Sequence, residues 1–255
     1  MCSIFLYDWA PKEDGVVTPR LRAPHVPSTP MKILPTSPVT VTTYWALMAQ
    51  IAQNLAAPAS TGGAEAADFY LQTLMHRVQA WHGSAMSDVV AAGAAMADAV
   101  LSGGKLYPWS GRAEFFSEAS GTAGGLMGVY NLDPDDMDSI GQRDVVIIAW
   151  VLADPERENA VARKAKAAGA MVIGIFPFSR HDGNERAAPE ARQLCNFSFD
   201  NMSGDVWGVL AVDGYATNII PTTTIMNNYV FWALVGAYVQ ALEARDEAPY
   251  LLLLH

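Results

Sequence analysis

The stretch Asp144–Phe176 reads DVVIIAWVLADPERENAVARKAKAAGAMVIGIF, and it has the pattern of one strand–helix–strand unit. Asp144–Leu152 is a nearly continuous apolar run, which is typical of a central parallel strand buried on both faces. Pro155–Ala168 is charged and amphipathic, with a proline near its first turn, and Gly169 follows it. Ala170–Phe176 is a second apolar run of strand length. The unit therefore predicts two parallel strands joined by a helical crossover.

The chain on either side of this unit continues the alternation of strands and helices. Apolar residues at spacings of three and four predict helices, and short apolar runs predict strands. The predicted helices are Val41–Leu55, Ala66–Leu101, Ala113–Ala123 and Ile225–Arg245, and the further strand candidates are Lys105–Trp109, Phe197–Phe199 and Val206–Val212. A kink is expected at Gly83 in the second helix, and a threonine hydroxyl in Pro221–Thr224 is expected to cap the last one. This alternation predicts a three-layer α/β sandwich with a parallel central sheet.

The first ~40 residues differ from the rest of the chain. Prolines are concentrated between Pro11 and Pro38, and proline disfavours helix at the residue before it. The segment also holds apolar residues that a solvated linker rarely carries, such as Trp9 and Ile33. We expect an extended arm that wraps over the domain or a partner subunit, with a flexible tail as the alternative. The predicted division is an arm and helix over residues 1–63 and a main domain over residues 64–255.

Composition and charge narrow the classes of function. The 255 residues are 51% hydrophobic and 16% charged, and the formal net charge is −10. We expect neither a nucleic-acid partner nor a membrane partner, because nucleic acids and anionic membranes both select basic surfaces. The two cysteines, Cys2 and Cys195, lie far apart, which fits a reducing compartment. Since no signal-peptide pattern is recognised, the expected location is the cytoplasm.

Six short motifs carry a resemblance to a known family. They are Ser102–Tyr107 (SGGKLY), Ala123–Leu126 (AGGL), the unit Asp144–Ile175, Ser179–His181 (SRH), Asp200–Asp205 (DNMSGD) and Pro221–Ile225 (PTTTI). In this order and spacing, from about Phe69 to His255, the chain resembles SIS (sugar isomerase) domain proteins, particularly a poorly characterised bacterial branch. The resemblance implies the SIS-like sandwich for residues 64–255, a phosphosugar or other carbohydrate-derivative ligand, and a homodimer or larger homo-oligomer.

Two loops that hold the sugar phosphate in this family are altered here. The family has Gly-x-Gly-x-Ser after its first strand, where this chain has Pro108–Arg112 (PWSGR). It has Ser-x-Ser-Gly after the next central strand, where this chain has Trp150–Ala153 (WVLA). Backbone N–H groups and hydroxyls normally close on a phosphate, whereas an apolar loop only removes its water.

An altered ligand site is the first hypothesis for this region. The candidate ligand-binding residues are Ser110, Arg112, Thr122, Trp150, Arg180 and Thr222. Arg112 could bind an anion through both guanidinium nitrogens, and the alternative is a surface ion pair with Glu114 or Glu118. Trp150 could stack on a sugar face, and the alternative is core packing.

Acid–base chemistry of the sugar-phosphate isomerase type is the second hypothesis. It needs a general acid and a general base near the sugar carbons, and the candidates are His181 and Glu118. Imidazole titrates near neutral pH, which favours His181, and the alternative is a polar loop histidine without a catalytic role. No cofactor is expected, and no metal either, because the histidines are dispersed and no ligand spacing occurs.

A third hypothesis is a non-catalytic SIS scaffold with a regulatory or structural role. It follows from the loss of both phosphate loops, which would leave the scaffold and its oligomer contacts. Retention of Ser179–His181 favours a ligand, and the apolar loop Trp150–Ala153 favours the scaffold. Ligand binding is therefore the leading hypothesis from the sequence, and the non-catalytic scaffold is its alternative.

Overall fold

The computed structural model describes residues 36–56, 65–121, 128–151, 155–178, 187–204, 208–213 and 215–247. The helices are α1 Thr36–Ala56, α2 Glu65–Leu101, α3 Ala113–Gly121, α4 Pro155–Ala167, α5 Ala187–Leu194 and α6 Thr223–Glu243. The strands are β1 Leu106–Ser110, β2 Val145–Ala149, β3 Met171–Phe176 and β4 Phe197–Asp200. Strands and helices alternate after α2, as the sequence predicts.

The four strands form one parallel sheet in the order β1-β2-β3-β4. A single parallel bridge adds a fifth position beyond β1, because Leu106 pairs with Val129 and its carbonyl accepts the N–H of Tyr130 at 2.9 Å. If the segment at Val129 is counted as the second element in chain order, the sheet runs 2-1-3-4-5 from that edge, where 1 is β1 and 3, 4 and 5 are β2, β3 and β4. The chain therefore winds outward from β1 in both directions, and the reversal lies between β1 and β2.

This pairing explains a proline in the middle of β1. The carbonyl of Lys105 accepts the N–H of Val145 in β2, and the carbonyl of Leu106 accepts the N–H of Tyr130 at the outer edge. Alternate residues of a parallel strand point their backbone groups to opposite neighbours, so Pro108 faces outward with Leu106. The bridge at that edge involves only Leu106 among the described residues of β1. Proline is therefore placed where its missing N–H breaks no bond of the ladder.

The sheet separates two apolar cores, which makes the three layers. One core joins α1, α2, α3 and α6 to strand residues such as Ile147 and Ile173. The other joins α4 and α5 to the alternate residues, such as Val146, Ile148 and Val172. All five positions of β2 are buried, since side chains leave a central strand alternately toward both layers. The predicted α/β sandwich with a parallel sheet is confirmed.

The long helix α2 packs closely against α6. At Gly93 a methyl group would lie 2.6 Å from the carbonyl carbon of Ala237, so only glycine allows this approach. By length and hydropathy alone α2 could cross a membrane, and it is the one described helix with that property. Core helices of globular proteins share it, and α2 contributes Tyr70, Trp81 and Met96 to the core, although only 33% of its apolar window is buried.

The structure differs from several of the expectations drawn from the sequence. Val206–Val212 is wrong as a strand where it is described, because only Leu210 pairs there, in an antiparallel bridge to Ile219. Helix α2 is helical through Gly83, and the kink expected there stays a prediction. Helix α5 was not predicted, since it has only eight residues and a proline, Pro189, at its third position. The arm at residues 1–35 lies outside the described residues.

Candidate ligand-binding site

A cleft opens at the carboxyl ends of β1 and β2, where the winding of the sheet reverses. It encloses about 210 Å³, part of which is open to solvent. The lining residues come from the end of β1, the start of α3, the loop after β2 and the first turns of α6: Ser110, Arg112, Phe115, Val151, Thr224, Asn227 and Asn228. Ligands of open α/β sheets bind in the crevice at such a reversal, because the loops on either side diverge there.

The β1 side of the cleft supplies a hydroxyl and a cation. Ser110 is buried, and its Oγ accepts the backbone N–H of Arg112 at 3.3 Å. Arg112 is exposed and forms no ion pair with another described side chain. Its proposed partner Glu118 instead accepts a hydrogen bond from Trp232, and the Glu114 side chain is not among those described. The sequence-predicted pair Ser110 and Arg112 thus lies together at one wall of the cleft.

The α6 side supplies two neighbouring asparagines with different environments. Asn227 is bonded at both ends of its amide: Nδ2 donates to the carbonyl of Trp150 at 3.4 Å, and Oδ1 accepts from Asn201 at 2.6 Å. Asn228 is only 4% exposed, and its Oδ1 has no hydrogen-bond partner among the described residues. A buried carbonyl oxygen without a donor costs about 1–3 kcal/mol. Asn228 thus lines the cleft, and its Oδ1 is one of four buried side-chain atoms that have no hydrogen-bond partner among the described residues.

A buried polar network extends from Asn227 toward the end of β4. Asn201 Oδ1 accepts both the backbone N–H of Ser203 at 3.0 Å and its hydroxyl at 2.6 Å. Asn201 and Ser203 have no exposed surface. These bonds fix the Asn227 amide, and with it the position of the loop after β2. The polar DNMSGD motif thus supports the cleft from behind.

Trp150 lies at the end of β2 and is fully buried. Its indole N–H donates to Asn159 Oδ1 at 3.0 Å, and its ring meets Phe176 edge-on at 5.2 Å between centroids. These are the contacts that core packing predicts, and neither ring face is open to the cleft. Only the Trp150 carbonyl reaches the site, through Asn227.

Glu118 lies one turn after Phe115 on α3 and is 6% exposed. Its Oε1 accepts the indole N–H of Trp232 from α6 at 3.1 Å. The carboxyl group thus joins α3 to α6 behind the cleft lining. A role for Glu118 in acid–base chemistry stays a prediction.

Thr222 occupies the N-cap position of α6, but its hydroxyl does not cap the helix. It accepts a hydrogen bond from the Arg77 guanidinium of α2 instead. The expectation of a threonine hydroxyl cap is therefore wrong, although the helix starts where the sequence predicts. The threonine that lines the cleft is Thr224, two residues later.

The remaining predicted residues are Thr122, Arg180 and His181, and they lie outside the described residues. Sequence reasoning missed Thr224, Asn227 and Asn228. The available signal was the pair of adjacent asparagines in the otherwise apolar helix TTIMNNYVFWALV, since a buried amide on a core helix needs a specific partner.

Cys195 does not provide a nucleophile to this region. The residue follows α5, and burial raises the pKa of its thiol to about 12, although the nearby Lys166 opposes the shift. Only the thiolate is reactive, so this thiol is inert at neutral pH. Burial likewise raises the pKa of the Tyr70 phenol above its usual value.

No protein-family model matches the chain, and no curated protein matches it. Among solved structures, the chain is similar to a crystal structure from Listeria monocytogenes strain 4b F2365 described as a putative sugar-phosphate isomerase. The sequence identity is 13%, the match covers 70% of this chain and 92% of that one, and the TM-score is 0.39. At these values the similarity carries no argument about the ligand, so the function has to be argued from the cleft.

Proposed function

We propose that the chain binds a small carbohydrate derivative, a phosphosugar or a related compound, in the cleft between β1, β2 and α6. The observation that carries this proposal is the set of polar side chains that line the cleft where the winding of the sheet reverses: Ser110 and Arg112 at the end of β1, and Thr224 on α6. Their hydroxyl and guanidinium groups supply the few convergent polar contacts that orient a small ligand.

The chemistry of the individual lining groups suits a sugar. Ser110 and Thr224 offer hydroxyls, Arg112 offers N–H donors, and Phe115 offers an apolar surface for C–H groups.

A thermal-shift screen tests the proposal. Sugars, amino sugars, sugar acids and sugar phosphates are added at millimolar concentration, and a ligand of the native state raises the melting temperature as it passes its Kd. The shift should shrink in Arg112→Ala. The matched control is Arg143→Ala, an exposed arginine at the opposite end of β2. Absence of a shift with every sugar, or an equal shift in Arg112→Ala, contradicts the proposal.

Isomerase-type turnover at this cleft is the finer form of the proposal, with His181 and Glu118 as acid and base. Support for Glu118 is its position on α3 beside the lining residue Phe115. Any sugar that passes the screen should be assayed for aldose–ketose interconversion. Activity that survives both Glu118→Gln and His181→Ala rules out this assignment.

The non-catalytic scaffold is the second candidate, and a specific feature favours it. Apolar residues form exposed stripes along α1 and α2, at helical spacings: Tyr44, Leu47, Ile51 and Leu55 on α1, and Leu71, Met75, Met86, Val90 and Leu101 on α2. Contiguous exposed apolar surface of this kind marks interaction sites. The stripes support a homo-oligomer that pairs through these helices.

Light scattering on a sizing column tests the oligomer. The wild-type chain should exceed the monomer mass of 27.4 kDa, and the double variant Met75→Lys/Val90→Lys should return to it with unchanged circular dichroism. A monomeric wild-type chain contradicts the oligomer and leaves the cleft proposal intact.

A further inference from the structure

The helical layer on one side of the sheet has an outer face that is apolar and poor in charge. We define this outer face by the exposed stripe of α1, from Tyr44 to Leu55, and that of α2, from Leu71 to Leu101. Helix α1 contains no Asp, Glu, Lys or Arg. The water-facing side of a helix usually carries charged residues, whereas depletion of charge together with exposed Met and aromatic side chains is typical of the centre of a protein interface. The outer face therefore has the composition of an interface.

Helix α2 carries the longer stripe, and a histidine lies within it. Between Phe69 and Ser87 the only Asp, Glu, Lys or Arg of α2 is Arg77, which bonds Thr222 at the start of α6. Exposed residues recur along one side of the helix at spacings of four and seven: Leu71, Met75, His82, Met86 and Val90. The side that packs on the core holds other residues, such as Trp81. His82 is thus the one ionisable side chain in this row of apolar residues.

The charges of α2 itself lie away from His82. One helical turn in either direction places only uncharged residues next to it: Val78, Gln79, Ala85 and Met86. The nearest charged residues of the helix are Arg77 and Asp88, five and six residues away and on other sides of it. His76 lies about 120° from His82 around the helix axis. No acid of α2 is therefore placed to pair with a protonated His82.

The elements packed on α2 supply no compensating charge either. The titratable side chains of α1, α6 and β4 are Tyr44, Tyr229, Tyr238, Glu243 and Asp200. Phenols are uncharged near neutral pH. Asp200 lies at the end of β4, on the core side, and its carboxyl accepts two backbone N–H groups. Glu243 comes two residues before Arg245, which pairs with Asp98. Asp98 in turn lies about 24 Å along α2 from His82.

We propose that two copies of the chain pair through the outer face and that this pairing requires uncharged His82, so that mild acid separates the copies. The inference rests on the proposed function in its second form, the homo-oligomer, and adds the regulation of that oligomer. The nine large apolar side chains of the two stripes offer roughly 800 Å² of exposed surface, which equals one partner's share of a standard interface. A two-fold pairing places two His82 side chains in the same interface.

Protonation of His82 opposes the pairing because an apolar interface solvates a charge poorly. Imidazole is mostly neutral at pH 8 and mostly charged at pH 5.5. The separated chains therefore bind more protons than the pair does, and the dissociation constant should rise by about tenfold per histidine for each pH unit below the imidazole range. The overall charge gives the opposite trend, since acid reduces the net charge of −10 and with it the repulsion between copies.

The test measures the mass of the full-length chain by light scattering on a sizing column at pH 8 and pH 5.5, with circular dichroism as the control for folding. His82→Gln is uncharged at both pH values, and His82→Lys is charged at both. The matched control is His76→Gln, which removes the other exposed histidine of α2 from a different side of the helix.

The wild type and His76→Gln should exceed the monomer mass of 27.4 kDa at pH 8 and return to it at pH 5.5. His82→Gln should stay associated at both pH values, and folded His82→Lys should be monomeric at both. A wild type that stays associated at pH 5.5, or a His82→Gln variant that separates in acid as the wild type does, overturns the inference and leaves the oligomer standing. A monomeric wild type at pH 8 contradicts the oligomer itself and leaves the cleft proposal intact.

Discussion

Replacing Asn228 by leucine should stabilise the protein without ligand, and this is the sharpest test of the cleft. The side chain is 4% exposed, and its Oδ1 has no partner among the described residues. An unpaired buried carbonyl costs about 1–3 kcal/mol, and leucine has nearly the same shape without the polar atoms. We therefore expect Asn228→Leu to raise the free energy of unfolding by about 1–3 kcal/mol.

The matched control is the neighbouring residue. Asn227 is equally buried, but its amide bonds Trp150 and Asn201. Asn227→Leu leaves the Asn201 Nδ2 group without its acceptor in the interior, so it should lower the free energy of unfolding by about 1–3 kcal/mol. Two identical substitutions at adjacent positions thus have opposite predicted signs.

Urea denaturation and thermal melts measure both effects. For a chain of this size, 1 kcal/mol corresponds to about 2–4 °C in the melting temperature. Asn228→Leu should also reduce the shift caused by a sugar ligand, because Asn228 lines the cleft. A loss of stability in Asn228→Leu as large as that in Asn227→Leu would refute the reasoning, since it would mean that Asn228 is a satisfied structural amide.

Three further experiments test the fold. Gly93→Val should lower the free energy of unfolding by about 3 kcal/mol or more, because the added atoms overlap the α6 backbone. Gly83→Ala in the same helix meets no atom within 4 Å, so it should raise the free energy of unfolding by about 0.5–1 kcal/mol. Urea titrations measure both changes. Trp150→Phe leaves an amide acceptor unpaired in the core and should cost about 1–3 kcal/mol by the same measurement. In a Cys2→Ser background, Cys195 should resist iodoacetamide at pH 8 and react fully in urea, and fast labelling of the native protein contradicts its burial.

The layered fold could be predicted because its signals are local. The apolar run of β2 is buried at every position, and the charged repeat of α4 covers one layer, as the periodicity indicates. The strand candidate Val206–Val212 was wrong because a short apolar run has no periodicity that separates a strand from a loop packed on the core. Only tertiary contacts decide such a segment.

The site could be predicted in part, and for a different physical reason. Ser110 and Arg112 were found because the resemblance to SIS proteins places a phosphate loop at Pro108–Arg112, directly after the first strand. Asn228 was missed because it belongs to a helix whose rotation about its axis is fixed by packing. Nothing in its local sequence states that its side chain turns to the cleft.

The distribution of buried polar groups separates the two candidate functions. Burial of a polar side chain is unfavourable unless it is bonded, so a pure scaffold gains nothing from a cluster of them at one edge of its sheet. Here the fully or nearly buried Asn201, Ser203, Asn227 and Asn228 gather at the carboxyl edge. Three of them hold one another through hydrogen bonds, and the fourth, Asn228, lines the cleft. Such a bonded cluster fixes the wall of the cleft, which the proposed binding function requires and a scaffold does not.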